Sequence, residues 1–160
     1  MLFKNVLVPY DESEHAAAAL HLAIDLVGDD PEATIRVVTV VSNDIMPPSA
    51  LSAAVAFDTS PVSYENYEAL LSHIAERSDR ELHDDVAGLL GKDMQVIHAK
   101  LVIETRLAGS PVEGITNYAM DHRCDLIVMG RRGLGALRGM LGSVSYGVLR
   151  SADIPVLTVK

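Results

Sequence analysis

The sequence predicts an α/β fold, a parallel sheet covered by helices on both faces. Three observations carry this. Five short runs rich in Val, Ile and Leu recur along the 160 residues. Their apolar residues fall on consecutive positions, as in strands buried on both faces. Segments with apolar residues at helical spacing lie between them, and such alternation is the sequence form of right-handed strand–helix–strand crossovers.

The elements follow in order. Val6-Leu7-Val8, closed by Pro9, reads as the first strand. Asp11 or Ser13 caps a helix whose apolar face is Ala16, Leu20, Ala23, Ile24 and Val27, and Gly28 stops it. Ile35 to Val41 is the second strand. Residues 42 to 62 hold Pro47, Pro48 and Pro61 without a clear period and read as a long loop. A long amphipathic helix runs from Tyr64 to about Leu90, with Tyr67, Leu70, Leu71, Ile74, Leu82, Val86 and Leu89 as its stripe and Gly91 as its stop. The third strand lies within 96–107, centred on Leu101-Val102-Ile103. Ser110 as N-cap, Pro111 at the first helical position and Glu113 two further on form a capping box. Val112, Ile115 and Ala119 give that helix its buried face. Asp125 to Gly130 is the fourth strand and Val156 to Val159 the fifth, with a glycine-rich loop and a short helix, Ser143 to Arg150, between them.

Length and composition fit one domain without disulfide support. Thirteen Lys and Arg against 22 Asp and Glu give a net charge of −9, which argues against nucleic-acid or anionic-membrane binding. The single cysteine, Cys124, cannot form an internal disulfide and reads as a small packing residue. No leader pattern and no run of 18 apolar residues occurs, so membrane insertion is not expected and the cytoplasm is the expected compartment.

The chemistry concentrates in one stretch. Five of the chain's 11 glycines fall between Gly130 and Ser145, at 130, 133, 135, 139 and 142. The stretch leaves the carboxyl end of a strand and enters a helix at Gly142-Ser143, where free N–H groups and the positive helix end favour a phosphate. Glycine lets the backbone approach closely, and Ser143 and Ser145 add hydroxyl donors. No acidic residue occurs from Leu126 to Ala152, while Arg131, Arg132, Arg138 and Arg150 do. An acidic protein thus sets a positive patch on one loop. A plain strand-to-helix connection explains the glycines but not the missing acids. The second element is Pro9-Tyr10-Asp11-Glu12-Ser13 after the first strand. In open α/β sheets ligands bind at the carboxyl ends of strands. Asp11 there suits ribose hydroxyls or a metal ion on a phosphate; as a helix cap it suits equally well.

Other readings lose ground on motif. There is no G-x-x-x-x-G-K-[ST], no G-x-G-x-x-G after the first strand, no G-x-S-x-G and no zinc spacing among the six histidines. A phosphate-receiver domain needs an Asp after the third strand and a Lys followed by a final helix, and neither is present.

Val8-Pro9-Tyr10-Asp11, Asp125-Leu126-Ile127-Val128-Met129-Gly130, Gly142-Ser143-Val144-Ser145 and Ile154-Pro155-Val156-Leu157-Thr158-Val159 together resemble the universal stress protein family, and the likeness runs over essentially the whole chain, 1–160 as one such domain. The resemblance implies an open five-stranded sheet of order 3-2-1-4-5, adenine nucleotide alpha hydrolase-like and Rossmann-like. One branch of that family binds ATP through G-x₂-G-x₉-G-[ST]. By position this implies cofactor contacts from Pro9, Tyr10, Asp11, Val40, Met129, Gly130, Gly133, Gly142, Ser143, Val144 and Ser145, and Arg132 of the positive patch joins them as a candidate cofactor-binding residue. The ligand is then ATP, or ADP or AMP, with Mg²⁺, and Asp11 is the one candidate protein group near the metal. The chain departs at one point. Eight residues, Leu134 to Leu141, separate Gly133 from Gly142, not nine, which shortens the loop's reach by about 3.5 Å.

The resemblance implies a nucleotide-binding stress regulator. Its competitors are an interaction module of the same fold that binds no nucleotide and a slow ATPase, for which no positioned base is legible. The fifth strand, Val156 to Val159, has nothing after it to cover its outer side, so a homodimer through that edge is expected.

Overall fold

The computed structural model describes residues 2–42, 64–133 and 141–160, with backbone alone for 64–67. Five parallel strands form one sheet of order β3-β2-β1-β4-β5. They are β1 (Asn5–Pro9), β2 (Thr34–Ser42), β3 (Lys100–Ala108), β4 (Leu126–Gly130) and β5 (Val156–Val159). The helices are α1 (Glu14–Val27), α2 (Tyr64–Leu90), α3 (Pro111–Asp121) and α4 (Ser143–Ser151). The fold class and strand order are those expected. The loop expected over 42–62 lies outside the described residues except for Ser42, which ends β2.

Two cores sit on the two faces. Val6 and Val8 of β1 join Ile35, Val37, Leu126 and Val128 beneath Ala19, Leu20 and Ala23 of α1 and Leu82, Val86 and Leu90 of α2. Leu7 points the other way, with Val38, Ile127 and Met129, beneath Ile115, Tyr118 and Ala119 of α3 and Val148 of α4. Val6, Leu7 and Val8 are each fully buried. Consecutive apolar positions in β1 and β4 are thus explained, because alternate residues serve opposite cores. Cys124 packs in the α3–α4 core as expected, and burial pushes its thiol up to about 11.

Local chemistry sets the boundaries. Ser13, not Asp11, caps α1, its Oγ accepting from the Ala16 N–H at 3.1 Å. Ser110 Oγ accepts from the Glu113 N–H at 3.2 Å, the serine half of the expected capping box. Gly91 ends α2 at φ +49°, a left-handed conformation natural to glycine, and a 3₁₀ turn over Gly91–Val96 follows that periodicity did not signal. The buried stripe of α2 is Leu82, Val86 and Leu90; Leu70, Leu71, Ile74 and Leu89 are half-buried. The side chain of Tyr67 lies outside the described residues.

Asp125 corrects the fourth strand's start. It precedes β4, and its carboxylate accepts from the N–H of Lys4 at 2.8 Å and of Asn5 at 3.1 Å. Asn5 in turn donates through Nδ2 to the His122 carbonyl and accepts from Arg36 Nε at 2.9 Å. This network pins β1, β2 and the α3–β4 turn at the amino end of the sheet. At the β3 edge the Thr105 N–H, which faces away from β2, donates to Asp79 of α2 at 2.9 Å. No described helix is long and apolar enough to cross a membrane.

Replacing Asp125 with Ala removes the side-chain acceptor of the partly buried Asn5 N–H and of the exposed Lys4 N–H. Unfolding stability is expected to fall by about 1–3 kcal/mol in urea titration, with an unchanged slope. Asn, which keeps an acceptor oxygen, is expected to lose less.

Candidate functional site

A cavity of about 620 Å³ opens at the carboxyl end of the sheet, a size suited to a small organic ligand. It lies where β1 parts its two neighbours. The chain runs from β1 outward to β2 and β3, then crosses back to β4 and β5 on the other side, so the connections diverge there. Strand length supplies the rest. Pairing of β1 with β2 ends at Pro9↔Val38, yet β2 continues to Ser42. The Val38 carbonyl still accepts from the Tyr10 N–H at 2.9 Å. Two residues on, Val40 presents its N–H and C=O in the same direction, where β1 has already turned away, and Val40 lines the cavity.

All twelve residues singled out from the sequence line this cavity. Pro9, Tyr10 and Asp11 come from the β1 exit and Val40 from the end of β2. Met129, Gly130, Arg132 and Gly133 come from β4 and the loop after it. Gly142, Ser143, Val144 and Ser145 form the start of α4. The structure adds Val38, Thr39, Ala16, Leu141 and two α3 residues, Pro111 and Ile115. The last two were legible only as helix start and buried face. Their place at the cavity depends on α3 crossing the end of β2, which pattern alone does not reveal.

The roles differ from expectation in places. Tyr10 packs its ring into the α1–α2 core, with its hydroxyl pushed up by burial and by nearby Asp85, Glu12 and Asp11. Its carbonyl accepts from Thr39 Oγ1 at 2.8 Å, which ties the turn to β2. Asp11 Oδ1 accepts from the Ser13 N–H at 3.2 Å and from Ser13 Oγ at 2.5 Å. It therefore supports the cap without being it. Between them Glu12 adopts φ +64°, an uncommon conformation for a residue with a side chain. The other oxygen, Asp11 Oδ2, occupies the space a Cβ on Gly133 would need, so Asp11 does face the glycine loop.

Gly130 is a packing glycine. A Cβ there would lie 2.8 Å from His15 Cβ and 2.9 Å from the His15 carbonyl carbon, so its absence lets β4 close on the first turn of α1. Ser145 was expected as a free hydroxyl donor. It is buried instead, and its Oγ donates to the Gly130 carbonyl at 2.9 Å. The Gly142 N–H is also engaged, donating to the Arg131 carbonyl at 3.0 Å. Open donors remain one step on. Gly142 caps α4 without a side chain, and the first helical bond runs from the Tyr146 N–H to the Gly142 carbonyl. The N–H groups of Ser143, Val144 and Ser145 therefore have no intrahelical acceptor. Among the described cavity residues Arg132 is the one cation and Asp11 the one carboxylate. The Arg132 Nε is buried and has no hydrogen-bond partner among the described residues.

An open α/β sheet with such a crevice at its switch point is a Rossmann-like ligand-binding architecture. The family follows from comparison. The Universal stress protein family model matches residues 2–160. A universal stress protein of Thermus aquaticus is 30% identical over 164 residues, covering 99% of this chain and 100% of that one. Universal stress protein UspA from Lactobacillus plantarum superposes with a TM-score of 0.68 at 23% identity, covering 100% of this chain and 99% of that one. The Archaeoglobus fulgidus universal stress protein in complex with dAMP superposes at 0.56 with 18% identity, over 100% of both chains. The chain belongs to the universal stress protein family.

Gly114 of α3, which pattern passed over, sets the distance between α3 and the cavity wall. A Cβ there would lie 2.5 Å from Val40 Cγ1 and 3.0 Å from Ala108 Cβ. Gly114→Ala is expected to destabilise by about 1–3 kcal/mol, read from the urea midpoint, because helix and strand must separate.

Proposed function

We propose that this protein binds an adenine nucleotide, ATP with Mg²⁺, in the cavity between the Asp11 turn and the start of α4, and acts as a dimeric, cytoplasmic stress-response regulator. The observation that carries this is the meeting, in one cavity, of a strand edge and a helix N-terminus whose N–H and C=O groups have no partner among the described residues. Val40 offers one donor and one acceptor, the pair that complements N1 and N6 of adenine. Pro111, Ile115 and Met129 supply apolar cover for a base. Asp11 Oδ2 is placed for ribose hydroxyls. The N–H groups of Ser143, Val144 and Ser145 and the side chain of Arg132 suit phosphate. The residues present therefore fit the nucleotide. The dAMP complex of the Archaeoglobus fulgidus relative supports the reading. Among the described residues no group of three or more His, Cys, Asp and Glu could hold a metal, so Mg²⁺ enters on the phosphates with Asp11 as the near carboxylate. That carboxylate is already held by Ser13, which favours binding over hydrolysis.

Calorimetry with ATP and Mg²⁺ tests this. Wild type is expected to bind, and no heat and no thermal shift at millimolar ATP would end the reading. Asp11→Asn keeps the Oδ1 acceptor for Ser13 and removes the charge. It is expected to lower ATP affinity about tenfold while moving the unfolding midpoint little.

The dimer reading rests on the two sheet edges being unlike. Among the described residues β5 has no strand on its outer side, and Leu157 of β5 is 39% exposed. The β3 edge carries Asp79 on its Thr105 N–H. Pairing two β5 strands across a two-fold axis satisfies the open edge and buries Leu157. Wild type is expected to sediment as a dimer at tens of micromolar and Leu157→Asp as a folded monomer, because the dimer would bury an unpaired charge. A wild-type monomer, or a Leu157→Asp variant that stays dimeric, places the proposal in error.

A further inference from the structure

Resting on the nucleotide and dimer readings above, we propose that nucleotide binding and self-association through β5 strengthen each other, because β5 holds the end of β4 that forms a wall of the cavity. The ladder registers carry this. β4 pairs with β1 at Val6↔Leu126 and Leu7↔Ile127, and there the two strands part. Beyond that point Val128, Met129 and Gly130 pair with Leu157, Thr158 and Val159 of β5. Met129 and Gly130 line the cavity. Among the described residues this wall is therefore laddered on its β5 side only.

The last rung runs on into α4. The Arg131 N–H donates to the Val159 carbonyl at 2.6 Å, and the Arg131 carbonyl accepts from the Gly142 N–H at 3.0 Å. Gly142 is the N-cap of α4. Ser145 Oγ, donating to the Gly130 carbonyl at 2.9 Å, ties the same turn of α4 to the residue paired with Val159. Two backbone bonds through one residue thus join β5 to the helix start that bounds the cavity.

The other side of β5 is the edge at which a second copy would pair. A parallel strand turns the N–H and C=O groups of successive residues to alternate sides. The Pro155 and Val159 carbonyls accept from β4, at Ile127 and from Arg131 just beyond it, so Val156 and Thr158 present their groups outward. A strand of four residues with one bare side opens more readily than one paired on both sides. With a second copy bonded to Val156 and Thr158, β5 is held between two strands and Val159 stays on Arg131. A nucleotide against α4 fixes the same contact from the opposite end. Partner and nucleotide therefore favour one arrangement of β5, β4 and α4, which is the condition for coupling between two sites. Linkage makes the effect reciprocal.

The test is calorimetry of the full chain with ATP and Mg²⁺ at fixed ionic strength, on wild type and on two monomeric variants, with sedimentation of wild type over a dilution series with and without ATP. Leu157→Asp is one variant. Thr158→Pro is the other; it removes an outward N–H of β5 and leaves every β4–β5 bond in place. The wild-type dimer is expected to bind ATP at least about fivefold more tightly than either monomer. Saturating ATP is expected to strengthen the dimer by the square of that factor, at least about 25-fold, since each dimer carries two sites. Where a variant fails to fold, wild type diluted below its dimer dissociation constant supplies the monomer. ATP affinity in either monomer equal to that of the dimer overturns the inference, as does weaker binding by the dimer. Binding by none of the three proteins removes the nucleotide reading, and the coupling with it. A wild type that stays monomeric with and without ATP, or a Thr158→Pro variant that stays dimeric, removes the dimer reading and the coupling, and leaves the nucleotide reading standing.

Discussion

The difference in length between two neighbouring strands governs the site. β1 has five residues and β2 has nine. Their ladder closes at Pro9↔Val38, so the chain leaving β1 turns away while β2 runs on. A parallel strand that outlasts its partner keeps unpaired polar groups along one edge, and buried polar groups need partners. The crevice, the exposed Val40 edge and the position of Asp11 opposite the glycine loop all follow from that mismatch.

The two ends of the sheet show opposite solutions to the same hydrogen-bonding problem. At the amino end every polar group in the described network is matched inside the protein: Asp125 takes the Lys4 and Asn5 N–H groups, and Asn5 links Arg36 to the His122 carbonyl. At the carboxyl end some groups are matched and others are left open. Ser13 and Thr39 fix the β1 turn, and Ser145 fastens α4 to β4. Among the described residues the first N–H groups of α4 and the Arg132 Nε have no protein acceptor. Closing one end and leaving the other incomplete separates stability from binding, because the scaffold does not depend on the groups a ligand would use.

Most of the fold was legible because its signals are local. Val6-Leu7-Val8 and the Leu126–Gly130 run declare strands buried on both faces, Ser110-Pro111 declares a helix start, and Gly91 a helix end. The glycine loop and the Asp11 turn were legible from residue types leaving strand ends, whereas Val40, Met129 and Val144 entered through the family resemblance; all twelve residues line one cavity. What was not legible depends on distance through space. No pattern says that Gly130 is glycine because His15 presses on it, or that Gly114 makes room for Val40. Ser145 looked like a ligand donor because its sequence neighbours do; the Gly130 carbonyl that takes its proton is 15 positions away. The 3₁₀ turn after Gly91 carries no periodicity to read. Asp125 looked like the first residue of a strand, although its carboxylate serves strand β1.

The Asp79 contact on the far edge of the sheet bears on how copies of this protein could aggregate. A sheet with two free edges can add neighbours without limit and grow into a fibre. Here the carboxylate of a helix residue stands on the Thr105 N–H, at the place where an added strand would bond to β3, and it brings a negative charge. Growth in that direction meets both a competing acceptor and an electrostatic obstacle. Any association across β5 then joins two sheets into one of ten strands whose ends are both β3, and both ends carry the same guard. Assembly through strand edges is thereby self-terminating, a property set by one side chain on a helix rather than by the interface.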